Sequence, residues 1–169
     1  MDRSVSIVER EALVAGGMQY SGRNERGEIP DMWDNGFLPR MGELDGVRRG
    51  EAAYGIARAI PGASCEDGFE YLAAVEVEPG CELPDGMVSW GVQGGTFAVV
   101  PADDVADLSP ACGYFYREWL PQSEYEHAGD FMMEVYPPSF ADDNVIYVHF
   151  PIRPRSENTA TDEGDPDAD

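Results

Sequence analysis

"GDFMMEVYPPSF", residues 129–140, is the stretch from which the rest of the chain can be read. Its centre alternates with the period of two that a strand imposes. Met132, Glu134 and Tyr136 share one face; Phe131, Met133 and Val135 share the other. Both faces are apolar apart from one carboxylate, so the strand should be covered on both sides. An ionised acid in such surroundings loses several kcal/mol of solvation unless a partner compensates. It either takes up a proton or waits for a cation.

Moving outward, "NVIYVHFPI" (144–152) reads as a second strand. Upstream, "DDVADLSPACGYFYREWL" (103–120) reads as a helix, with Asp103 and Asp104 as capping candidates and Tyr116 and Leu120 four apart. Pro110 should divide it into a short lead and a longer body. Before it, "GMVSWGVQGGTFAVVPA" (86–102) is a long strand interrupted at Gly94-Gly95.

The first part of the chain has the same order. "VSIVEREALVAGGMQYSG" (5–22) is a long strand with an expected break at Gly16-Gly17. "GEIPDMWDNGFLPRMGEL" (27–44) puts Ile29, Trp33 and Phe37 at helical spacing, with Pro30 in the first turn. Gly36 and Pro39 should keep this helix short or irregular. "EAAYGIARAI" (51–60) and "FEYLAAVEVEP" (69–79) follow as strands. Strand–helix–strand–strand thus occurs twice, which predicts an α+β fold: a tandem β-α-β-β repeat with pseudo-two-fold symmetry and an antiparallel sheet. The halves are residues 1–80 and 84–153 of a single domain. Residues 154–169 carry no aromatic and no aliphatic larger than Ala, and are expected to be a disordered acidic tail.

Net charge is −22, and all 11 basic residues are Arg. The tail holds six acids and one Arg, so −17 remains on residues 1–153. Such a field repels phosphate backbones and argues against direct nucleic-acid binding. An acidic surface without Lys also suits a salt-rich cytoplasm, and predicts a halophilic source. There is no apolar run long enough to span a membrane and no secretory leader pattern at the N-terminus, so a cytoplasmic location is expected. The three cysteines, Cys65, Cys81 and Cys112, form no CxxC pair and suggest neither zinc nor a disulfide framework. Cys65 and Cys81 flank the strand at 69–78, whose ends lie about 30 Å apart.

"YGIA", "FEYLAAVEVEP", "GYFYREWLPQSEYEHAGDFMMEVYPPSF" and "NVIYVHFPI", in this order, resemble the GyrI-like small-molecule-binding family. That family includes effector-binding domains of AraC- and MerR-type regulators. The likeness runs from residue 5 to 152, and "EWLPQSEYE…MEVYP" is its most specific part. It implies two main helices on the sheet and a ligand cleft between the halves. It also implies that Glu134 is the acid that meets cationic ligands in drug-sensing members, or activates water in members that hydrolyse strained cyclopropane-containing compounds. Because the opening strand begins at once, the chain resembles the free-standing form, without a helix-turn-helix.

Further ligand-binding candidates come from spacing and resemblance together: Trp119, Tyr71, Tyr54, Trp90, Trp33, Tyr147 and His149. Aromatic walls around one acid select lipophilic cations through charge pairing and cation–π contacts. In some drug-binding relatives the places of Tyr147 and His149 carry an acid and a tyrosine, which leaves Glu134 here as the single buried acid. His149 could titrate near neutrality. As a catalyst, Glu134 would serve as general base and Tyr71 or Tyr54 would steady an oxyanion. The first reading is a non-catalytic binder, the alternatives a cyclopropanoid hydrolase or a gyrase-type modulator that binds a protein partner. Ser123, His127 and nearby acids lack a nucleophile-elbow motif, and His127 with Asp130 lacks further metal ligands. No phosphate-binding glycine loop is present, so no cofactor or metal is called for.

Overall fold

The strand that carries Glu134 pairs on both sides, and the whole sheet is arranged around it. The computed structural model describes residues 3–59 and 68–155. Nine strands are found there: β1 (Ser6–Arg10), β2 (Leu13–Gly22), β3 (Arg48–Ala59), β4 (Phe69–Val77), β5 (Val88–Val92), β6 (Gly95–Ala102), β7 (Tyr125–His127), β8 (Phe131–Tyr136) and β9 (Ile146–Pro154). They form one antiparallel sheet in the order β1-β6-β9-β8-β3-β4-β2-β5, with β7 beside β9. Helical segments at 28–44 and 105–122 follow β2 and β6.

This order is the expected repeat. The first half contributes β3-β4-β2 and the second β8-β9-β6, and the two meet at β3–β8. The pseudo-two-fold axis therefore passes beside the pair Gly55↔Glu134.

β1 and β2 are one long strand kinked at residues 11–12; β5 and β6 are another, kinked at 93–94. Beyond the kinks the strands change partners, β1 pairing with β6 and β5 with β2. β1 and β5 stand at opposite ends of the strand order yet continue directly into β2 and β6, so the sheet must curl back on itself. The expected break at Gly16-Gly17 is not where the chain bends: β2 runs straight through it. Gly17 instead permits close approach to β4, since a Cβ there would overlap the Ala73 carbonyl and lie 2.7 Å from Ala74 Cα.

The helical segments are irregular, and both for the same reason. A π-helical turn at Met32–Phe37 precedes Leu38-Pro39, and another at Phe115–Trp119 precedes Leu120-Pro121. Proline has no N–H to close the usual bond, and the register widens just before it. The Leu38 N–H bonds to the Trp33 carbonyl and the Leu120 N–H to the Phe115 carbonyl, five residues back in each case. Asp104 caps the second segment by accepting from the Asp107 N–H at 3.0 Å. Pro110 sits in the first turn of the helix Leu108–Tyr114 rather than dividing it.

Both segments cover one face of the sheet. Ile29, Phe37 and Leu44 pack on Tyr71, Ala73, Val75 and Val77. Ala111 and Phe115 pack on β6 and β9, where Phe115 stacks on Phe150 at 3.9 Å between centroids. A third cluster, including Tyr54, Ile56, Leu72, Trp90, Met133 and Val135, is buried on the opposite face without a helix over it. The curl of the sheet does that work.

Residues 125–127 form a short strand, β7, on the edge of β9, and β9 runs on to Pro154. The Arg155 N–H still bonds to the Glu124 carbonyl at 2.8 Å. The rest of the expected tail, 156–169, and Cys65 lie outside the described residues. Cys81 and Cys112 are free thiols. Among the described residues no helix is long and apolar enough to cross a membrane.

Candidate functional site

Glu134 lies on the helix-covered face of β8, 8 % exposed, where the two halves join. Its Oε1 accepts two hydrogen bonds, from the Tyr71 hydroxyl at 2.7 Å and the Tyr136 hydroxyl at 2.8 Å. The Trp33 indole N–H in turn donates to the Tyr71 oxygen at 3.0 Å. The result is a directed chain from Trp33 through Tyr71 to the carboxylate, met from the other side by Tyr136. Neither hydroxyl reaches Oε2. Among the described residues no Arg or His pairs with this acid.

Tyr71 stands on β4, two strands away from Glu134, and must reach across β3 to touch it. It crosses directly above Gly55. A Cβ at residue 55 would lie 2.5 Å from Glu134 Oε1 and overlap the Tyr71 hydroxyl. The site thus depends on a residue that has no side chain.

Burial dominates the titration of Glu134 and raises its pKa, while the two tyrosine hydroxyls work against it. Burial also raises Tyr71 and Tyr136, and the adjacent carboxylate adds to the effect, so both stay protonated as donors. Cys112 is close enough to feel the Glu134 charge; burial first and that charge second push its thiol up to about 12. It is therefore an unreactive neighbour. Trp33 packs on Tyr136 at 5.4 Å and Phe140 on Tyr136 at 5.2 Å, so rings from both halves surround the acid.

Of the residues singled out by sequence, the structure brings Glu134, Tyr71 and Trp33 together. Trp119 is on the same face, stacked between Phe115 at 5.7 Å and Tyr125 at 6.1 Å within the cluster that includes Met132 and Tyr136. Tyr54 and Trp90 are on the other face, each 5 % exposed. Trp90 donates to Gln19 Oε1 at 2.9 Å and carries the Arg58 guanidinium 3.7 Å from its ring centre. Tyr147 and His149 also face away from Glu134. Val148 pairs with Glu134 across the strands and shares its face, so alternation turns residues 147 and 149 outward. They line a cavity of about 660 Å³ on the helix-free side.

His149 does not titrate near neutrality in the folded chain. Burial, with a smaller contribution from the Arg10 charge, lowers it to about 4 against the effect of its bond to the Tyr147 carbonyl. Ser123 is occupied as a turn residue: its hydroxyl donates to the Leu120 carbonyl at 2.8 Å and accepts from the Tyr125 N–H at 3.1 Å. Tyr136, Gly55 and Cys112 were not among the sequence candidates. Tyr136 had a usable signal, since it lies two residues from Glu134 on the same strand face.

A family model described as "Cass2: Integron-associated effector binding protein" matches residues 6–152. A 93-residue stretch is 37 % identical to the transcriptional regulator BrlR of Pseudomonas aeruginosa, covering 55 % of this chain and 33 % of that protein. The match thus spans a third of that relative's length. Among solved structures, SAV2435 bound to tetraphenylphosphonium shares the fold with a TM-score of 0.71 at 11 % identity, over 89 % of this chain and 94 % of that one. The C-terminal domain of EcmrR does so with a TM-score of 0.65 at 12 % identity, over 91 % and 99 %.

Proposed function

The chain belongs to the Cass2 family of integron-associated effector-binding proteins, and on that premise we propose that it is a receptor for lipophilic cations. One observation carries the reading: a buried carboxylate that two hydroxyls hydrogen-bond and no cationic group of the described chain neutralises. The hydroxyls hold the charged form in place, while burial keeps it costly until a positive charge arrives. The rings of Trp33, Tyr136 and Phe140 offer flat apolar contact and cation–π attraction to such a ligand. The ligand-bound neighbour SAV2435, with its tetraphenylphosphonium, supports the same chemistry. Trp119 is proposed as an outer wall on the second-half side.

Titration calorimetry with tetraphenylphosphonium tests this. Glu134→Gln keeps the shape and removes the charge, and is expected to weaken binding by about 30- to 100-fold. The same change relieves a buried charge and should raise the unliganded stability by about 1 kcal/mol. Equal affinity in both proteins would overturn the proposal.

A second reading, hydrolysis of strained cyclopropanoid compounds, rests on the convergence of the Tyr71 hydroxyl and Glu134 at 2.7 Å. It asks Glu134 to act as a base while two donors already stabilise its charged form, and so stands behind binding. Turnover of a cyclopropanoid panel by the wild type but not by Glu134→Gln would reverse that order. The acidic, Lys-free composition supports a salt-adapted protein. Its melting temperature is expected to rise by several degrees from low salt to molar KCl; an unchanged melt would count against that reading.

A further inference from the structure

The cavity on the helix-free face is a separate site, divided from Glu134 by the sheet itself. Its volume, about 660 Å³, is in the range that holds small ligands. It exists because the two halves finish their sheets differently. On β5, Trp90 pairs with Ala15 and fills the curl of the first half. On β1, the position equivalent to Trp90 is Val8, paired with Phe97, and two residues before it Ser6 pairs with Val99. Small residues there leave open what an indole fills opposite.

The lining is mixed in an informative way. Val8, Leu13, Val99 and Val135 supply apolar walls. Arg10 is the one guanidinium on the lining and Glu11 and Glu76 bring carboxylates, while the Glu9 carboxylate is turned to the Thr96 hydroxyl. Arg10 and Glu76 line the same space, yet among the described residues neither joins an ion pair. Arg10 is held another way. One of its Nη1 hydrogens faces His149 Nε2 at 3.1 Å, and His149 Nδ1 faces the Tyr147 carbonyl at 3.0 Å. These contacts require one tautomer: Nδ1–H donating to the carbonyl and Nε2 accepting from Arg10. The imidazole therefore stays neutral and aims the guanidinium, leaving its other donors free.

A purely anionic ligand would meet the carboxylates, and a purely cationic one would meet Arg10. A molecule with both charges and an apolar body satisfies every wall. We propose that this cavity binds a small zwitterion, such as an aliphatic amino acid, with its carboxylate on Arg10 and its ammonium on Glu76. His149 is the positioning residue for Arg10.

Titration calorimetry of the full chain with L-leucine tests the assignment, with isopentylamine and 4-methylpentanoate as the singly charged comparisons. Leucine is expected to bind about tenfold or more tightly than either. Arg10→Gln should lower leucine affinity by about tenfold or more. Ser6→Trp, which sets an indole on the cavity lining, should abolish binding while leaving the far-ultraviolet dichroism unchanged. It keeps the test sharp if the Arg10 variant folds poorly. Absence of leucine binding, equal binding of a singly charged analogue, or full affinity in Ser6→Trp would each overturn the proposal.

Discussion

Replacing Gly55 by alanine is expected to cost about 3 kcal/mol and to lower the melting temperature by roughly 6–12 °C. Few surface-remote substitutions this small should do as much. The backbone of residue 55 is ordinary strand, so conformational strain is not the cause. The added methyl would occupy the space in which the Tyr71 hydroxyl meets Glu134 Oε1. Either the tyrosine withdraws and leaves a buried carboxylate short of a donor, or β3 moves away from both neighbours. Each option loosens the join between the halves, and tetraphenylphosphonium affinity should fall with it. A double-mutant cycle separates clash from general disruption. With Tyr71→Phe in the background the nearer of the two obstructing oxygens is gone, and Gly55→Ala should cost at least about 1 kcal/mol less. Additive effects, or a Gly55→Ala protein that melts like the wild type, would remove the explanation.

Acid should destabilise the protein through His149. The imidazole has an ordinary pKa of 6.5 when unfolded and about 4 when folded, because burial disfavours its charged form. The unfolded chain therefore binds the proton first. Stability from this group is full above about pH 6.5 and is lost progressively as pH falls toward 4, in total on the order of 3 kcal/mol. Protonation also converts Nε2 from an acceptor for Arg10 into a competing cation. Glu134 works in the opposite direction: its folded pKa is raised, so its proton uptake favours the native state as pH falls. Urea denaturation at pH 7 and pH 4, for the wild type and His149→Gln, isolates the histidine. The variant should show the shallower loss. Matching losses in the two proteins would show that His149 is not the group responsible.

How far the sequence could be read is clearest on β8 and its neighbours. The alternation of 131–136 placed Glu134 and Tyr136 together on one face, and the doubled strand–helix–strand–strand order is the observed topology. What the sequence could not supply was the register between strands. Tyr71 and Tyr54 look alike as strand aromatics, yet only Tyr71 meets Glu134. The difference is set by Gly55 pairing with both Ala73 and Glu134. A shift of one residue in the β3–β8 ladder would reverse their roles. Tyr147 and His149 went to the far face for the same reason. A conspicuous glycine pair predicts the bend in the first long strand, whereas the chain turns at Glu11-Ala12, which carries no conformational signal of its own. Leu-Pro recurs at 38–39 and 120–121, each after an aromatic residue, and marks the two equivalent π-helical turns.

The partner change at the kinks bears on how this molecule can come into being. Each repeat donates its outermost ribbon to the other, so neither has a finished border until both are present. Ser6 waits for Val99, and Leu13 for Val92. A polypeptide severed between β4 and β5 would yield two fragments that are incomplete separately and complementary when mixed. Denaturation of the intact chain should accordingly be a single concerted event, with no stage at which one repeat survives the loss of its twin.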